Sequence, residues 1–170
     1  LRCMSVTSSG LKLLAARKEL ISLEFTTPIG PKDLHYIAQL PKLRTLRLLA
    51  PTLDDRAMLA PLAKAPSLTH LSMKTCLLSE PLPAMPTLRA LQLIMLQRDQ
   101  GRSFLTKPNA AYRRICQIGL ARPPAALQAL KVMPELRSLA LDGLGRYLDS
   151  LDALLPWSSL SKVTSLRIEH

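Results

Sequence analysis

The chain has 170 residues, a formal net charge of +11 and an apolar fraction of 48%, of which only 4% of all residues are aromatic. That length fits one domain with a core of its own, and no apolar run reaches the roughly 18 residues that a membrane span needs. Cys3, Cys76 and Cys116 stand far apart with no CxxC pair, so neither a disulfide framework nor a zinc spacing is written into the chain. No secretory signal pattern is present, although the chain begins at Leu1 rather than Met, which leaves open a targeting segment ahead of it. The expected setting is intracellular, either cytoplasmic or organellar, with a mitochondrion included.

In chain order, one six-residue pattern recurs with aliphatic residues at its first, fourth and sixth positions. It reads LRCMSV from Leu1, LISLEF from Leu20, LRTLRL from Leu43, LTHLSM from Leu68, LRALQL from Leu88, ICQIGL from Ile115, LRSLAL from Leu136 and VTSLRI from Val163. Six of the seven spacings lie in the 20–29 residue window of a repeat architecture. Pro41, Pro66, Pro86 and Pro134 each stand two residues before the first Leu of a unit. Lacking an N–H and disfavouring helix in the preceding residue, each is expected to end a helix and admit the next strand.

The intervening segments divide by composition. Leu11 to Leu20, Asp33 to Leu40, Asp54 to Ala65 and Ala125 to Met133 carry apolar residues at helical spacing, with Pro61 kinking the third. Ser79 to Pro86 is too rich in proline for a helix and reads as a loop or 3₁₀ turn. The expected architecture is therefore α/β, with short parallel strands on a concave side and helices or loops on a convex side. About eight repeats would fill 1–170 as a single domain.

These signatures resemble those of leucine-rich-repeat proteins along the full chain. The stretch from Leu53 to Cys76 is similar to the cysteine-containing subtype found in F-box substrate receptors, with Cys76 at the ninth position of its unit. The resemblance implies a solenoid that binds a partner. Elsewhere the ninth position holds Ser9, Pro28, Pro51, Leu96 or Leu144, so an asparagine ladder is missing and no F-box is present. The repeat runs to both ends without the polar capping units that solenoids use.

Alternation along a strand sends the third, fifth and seventh positions of each unit to the concave surface. Arg47, Leu49, His70, Lys74, Gln92 and Ile94 are the candidate partner-binding residues there; the alternative is ordinary solvated sheet, with Leu49 and Ile94 under neighbouring loops. The second position carries Arg2, Arg44, Arg89 and Arg137 along one rim, where arginine stems also simply cover apolar surface.

Charge is uneven. Residues 1–114 hold 17 Lys and Arg against 7 Asp and Glu, and residues 115–170 hold 6 against 5. An insertion loop at 97–114 concentrates the excess in Arg98, Arg102, Lys107, Arg113 and Arg114, and loops longer than their neighbours often carry binding. Phosphate contact needs only such cations, whereas base readout on single strands uses stacked aromatics, which are scarce here. No catalytic signature appears, His35, His70 and His170 fall in different units, and no cofactor or metal is expected.

Two functions follow as expectations. The first is a non-enzymatic protein-binding scaffold. The second is a structural subunit of a large assembly, such as an organellar ribosome or a membrane-attached complex, whose basic first two-thirds touches RNA or acidic subunits. Either a neighbouring subunit or further repeats would cover the ends.

Overall fold

The computed structural model describes residues 2–3, 8–27, 29–52, 59–75, 82–95, 130, 133–143, 158 and 160–169. Among these residues seven parallel strands form one sheet in strict chain order: β1 Arg2–Cys3, β2 Ser22–Phe25, β3 Thr45–Thr52, β4 His70–Thr75, β5 Ala90–Met95, β6 Ser138–Asp142 and β7 Ser165–Glu169. Helix α1 (Ser8–Ala15) links β1 to β2, helix α2 (Pro31–Ala38) links β2 to β3, and a 3₁₀ helix (Ala60–Lys64) precedes β4.

Each strand repeats the same register with the next. Leu23, Leu46, Leu71, Leu91, Leu139 and Leu166 align at the fourth position, and Phe25, Leu48, Met73, Leu93, Leu141 and Ile168 at the sixth. From β2 to β6 both rows are buried, joined by the first-position residues Leu43, Leu68, Leu88 and Leu136. Burying a leucine fully is worth about 1.5–3 kcal/mol, so a stack of near-identical layers replaces the aromatic residues of an ordinary core. The last layer differs: Leu166 on β7 is 45% exposed.

The prolines do more than stop helices. Leu43, Leu88 and Leu136 donate their N–H groups to the carbonyls of Leu40, Met85 and Met133, so Pro41, Pro86 and Pro134 occupy the second position of closed β-turns. A fixed φ suits that position. The residue before each proline is buried, which ties the turn to the core. Leu20 and Val163 close the same turn onto Arg17 and Leu160 without a proline.

Helix α2 begins two residues before the expected Asp33 because Pro31 takes its first turn, where a missing N–H costs nothing. Asp33 reaches back to accept a hydrogen bond from the Gly30 N–H at 3.1 Å. Leu34 and Ile37 then face the core. Helix α1 spans Ser8–Ala15 instead of Leu11–Leu20, since its last residues must turn to bring Leu20 to the head of β2. The helix expected over Asp54 to Ala65 is, where described, the 3₁₀ helix Ala60–Lys64 with Pro61 in its first turn. Residues 82–85 are irregular, as the proline content predicts. Of the helix expected over Ala125 to Met133, all but residues 130 and 133 lies outside the described residues.

Two expectations about the repeats are corrected. Among the described residues the sheet has seven strands, and β5 pairs directly with β6 from Ala90 opposite Ser138 to Ile94 opposite Asp142. No strand stands between β5 and β6; residues 115–120, where a strand was expected, lie outside the described residues. The apolar pattern of ICQIGL matches the others, but Tyr112-Arg113 precedes it where Met85-Pro86 and Met133-Pro134 precede the two paired strands. The first unit is also shifted by three residues: Arg2 stands opposite Glu24 and Cys3 opposite Phe25. Arg2 therefore occupies a fifth position and not the second.

Candidate functional site

The face of the sheet opposite the buried rows is built from its third and fifth positions. The third position reads Ser22, Thr45, His70, Ala90, Ser138 and Ser165; the fifth reads Glu24, Arg47, Ser72, Gln92, Ala140 and Arg167. Small side chains dominate from β4 to β7, and they leave a trough of about 430 Å³ across strands β3 to β7. Its lining includes Ser72, Ala90, Ser138, Ala140 and Ser165 as a low floor, with Arg47 on β3 and Arg167 on β7 at the two ends. His70 and Gln92 also line it, and among the described residues no carboxylate does.

The charged ends are held by acids outside the lining. Arg47 lies 3.6 Å from Glu24, and Arg167 lies 3.4 Å from both Asp142 and Glu169. Both guanidinium groups remain more than half exposed. Pairs this long and this wet contribute little stability, so both cations stay available to a third group.

A side-chain chain crosses the middle of the face. Ser72 Oγ donates to Gln92 Oε1 at 3.0 Å, and Gln92 Nε2 donates to Asp142 Oδ2 at 2.9 Å. This chain fixes the Gln92 amide orientation, since its oxygen must face Ser72 and its nitrogen must face the carboxylate. Asp142 Oδ1 is buried with no hydrogen-bond partner. At the next residue Gly143 adopts φ 81, a left-handed conformation suited to glycine, and donates its N–H to the Glu169 carbonyl at 2.9 Å.

The six sequence-derived candidates divide. Arg47, His70 and Gln92 line the trough together. Lys74 and Ile94 pair in register one position further along β4 and β5, beyond its lining. Leu49 is half-buried where the β3–β4 register breaks between Leu48 and Thr52, which takes it out of the regular column. Arg98, Arg102, Lys107, Arg113 and Arg114 lie outside the described residues. Strand alternation also places Ser138, Ala140, Asp142, Ser165 and Arg167 on this face, outside the sequence-derived candidates, and the direct pairing of β5 with β6 brings them beside Gln92.

His70 Nδ1 lies 2.8 Å from Thr69 Oγ1, its immediate chain neighbour. Among the described residues no three His, Cys, Asp or Glu side chains gather as metal ligands, and no helix is long and apolar enough to cross a membrane. The arrangement offers hydrogen-bond donors, acceptors and two separated cations around a shallow floor, which is the chemistry of recognition. The chain matches no family model, no curated protein and no solved structure.

Proposed function

We propose that the chain is a leucine-rich-repeat solenoid acting as a non-enzymatic scaffold, and that it holds an extended protein segment along the trough from β3 to β7. The observation that carries this reading is the lining itself: a low floor of serine and alanine between two exposed arginines, with no acid among the described lining residues. Small floor residues let a partner backbone approach the sheet closely. The arginines at either end favour carboxylates on the partner, and guanidinium groups match carboxylate geometry.

Length sets the spacing of those carboxylates. Four strand-to-strand steps of about 4.8 Å separate β3 from β7, or about 19 Å. An extended segment covers about 3.3 Å per residue, so acidic residues about five or six positions apart reach Arg47 and Arg167 together. The Ser72–Gln92–Asp142 chain supplies polar contacts between them.

Selection of random 12-residue displayed peptides on the immobilised chain tests the reading. Enriched peptides are expected to carry Asp or Glu about five or six residues apart. Their binding should fall at least tenfold on the double variant Arg47→Gln/Arg167→Gln. Peptides that bind both proteins equally would remove the trough from consideration.

A further inference from the structure

The turn edge of the sheet, where each chain segment enters its strand, has a different character from the trough. Lys18, Lys42, Arg44, Arg89, Arg137 and Lys162 all stand on it, together with Arg17, while Glu19 and Glu135 are its acids. Both acids are already engaged, Glu19 with Lys42 at 2.6 Å and Glu135 with Lys162 at 2.9 Å. The Lys162 hydrogen bond and charge hold the Glu135 carboxyl below its ordinary value, and Arg137 and Arg89 add to that field. Among the described residues at the other ends of the strands charge is balanced: Lys74 on β4 shares a register row with Asp142 on β6 and Glu169 on β7, and Arg167 lies near both acids.

Arg44, Arg89 and Arg137 share one register position. The carbonyl of Arg44 receives Thr69 N–H, that of Thr69 receives Arg89 N–H, and that of Arg89 receives Arg137 N–H, at 2.8–2.9 Å. The row therefore runs Arg44, Thr69, Arg89, Arg137 with one strand spacing of about 4.8 Å per step. All three arginines are exposed, and none of their guanidinium groups bonds or ion-pairs with a described side chain. Like charges on neighbouring strands destabilise a sheet, and Arg89 beside Arg137 is such a pair.

Thr69 Oγ1 and Thr164 Oγ1 donate to the carbonyls of Arg44 and Arg137, and Ser67 Oγ and Thr87 Oγ1 donate to those of Pro41 and Leu68. These bonds brace the turns that space the cations. Among the described residues the edge carries no aromatic side chain, and its one large exposed apolar side chain is Ile21. A protein interface is anchored by aromatic or apolar side chains in pockets, which the edge lacks. Phosphate contacts need only cations and donors on a fixed spacing.

We propose that this edge binds the phosphodiester backbone of a nucleic acid without reading its bases, through Arg44, Arg89 and Arg137. The proposal does not rest on the trough, and the two surfaces can be occupied at once.

Fluorescence anisotropy of the full chain with a fluorescein-labelled 20-nucleotide polyuridylate, across 50–300 mM salt, tests it. Each lost phosphate contact removes about 0.7 from the slope of log affinity against log salt. Arg44→Gln/Arg89→Gln/Arg137→Gln should therefore flatten the slope by about 2, with its circular dichroism spectrum unchanged. Arg47→Gln/Arg167→Gln should leave the slope as it is, and polyadenylate should bind within threefold of polyuridylate. Absence of binding at 50 mM salt, an unchanged slope in the triple variant, or equal displacement by polyglutamate of the same charge would each overturn the proposal, the last by pointing to an acidic protein.

Discussion

Leu139 and Leu166 occupy the same register position on adjacent strands, yet Leu139 is 0% exposed and Leu166 is 45% exposed. Truncating each to alanine compares the same chemistry in a closed layer and an open one. In Leu139→Ala the removed carbons leave a cavity walled by neighbouring layers, and such changes cost about 2–5 kcal/mol. In Leu166→Ala nearly half of the side chain is already wet and no closed cavity forms, so the cost falls to about 1 kcal/mol, little more than half the transfer term of the lost methylenes. Urea unfolding followed by circular dichroism measures both. With a slope of about 2 kcal/mol per molar, the midpoint for Leu139→Ala should lie about 1 M below that for Leu166→Ala. Equal midpoints would refute the reasoning, because they would mean that β7 is covered as fully as β6.

Gln92→Ala cuts the Ser72–Gln92–Asp142 chain and strips Asp142 Oδ2 of its 2.9 Å donor, so stability should drop by about 1–2 kcal/mol; a drop no larger than that of Ser138→Ala would contradict the role of the network. Ala90→Cys with Ser138→Cys should form a disulfide under mild oxidation, since these residues face each other across β5 and β6 at a Cα separation that bridges tolerate; two persistent free thiols would mean the strands are not neighbours. Because its hydrogen bond and charge from Lys162 lower the folded-state pKa of Glu135, the carboxylate contributes stability above its unfolded value and loses it as pH falls through the folded value. Lys162→Ala should move the NMR titration midpoint of Glu135 upward, and an unmoved midpoint would deny the contact.

Much of this fold is legible in the residues. Leu-x-x-Leu-x-Leu fixes both the strand and its buried side, because only one phase of a two-residue alternation puts Leu46 and Leu48 inward while Thr45 and Arg47 face out. The paired strands β2 to β7 were all visible in this way. The proline marker was visible as well, but its role in closing β-turns emerges only from the hydrogen bonds of Leu43, Leu88 and Leu136.

What the pattern did not carry is which strand neighbours which. ICQIGL has the apolar period of a strand, and periodicity contains no term for pairing. The contact between Gln92 and Asp142 spans 50 residues and depends on β5 meeting β6 directly. That single adjacency joins the half of the trough found from the sequence to the half that was missed. The two-residue strand β1 was misphased for a related reason: so short a segment takes its register from its partner, with Cys3 opposite Phe25.

The trough is tested most directly by amide chemical-shift mapping of the full chain titrated with a peptide enriched in the selection above. The account predicts shifts concentrated at Ser72, Gln92, Ala140 and Arg167, continuous from β4 to β7, with α1 and α2 undisturbed. Shifts confined to α1 and α2 or to the turn edge, with Gln92 and Ala140 unmoved, would contradict it.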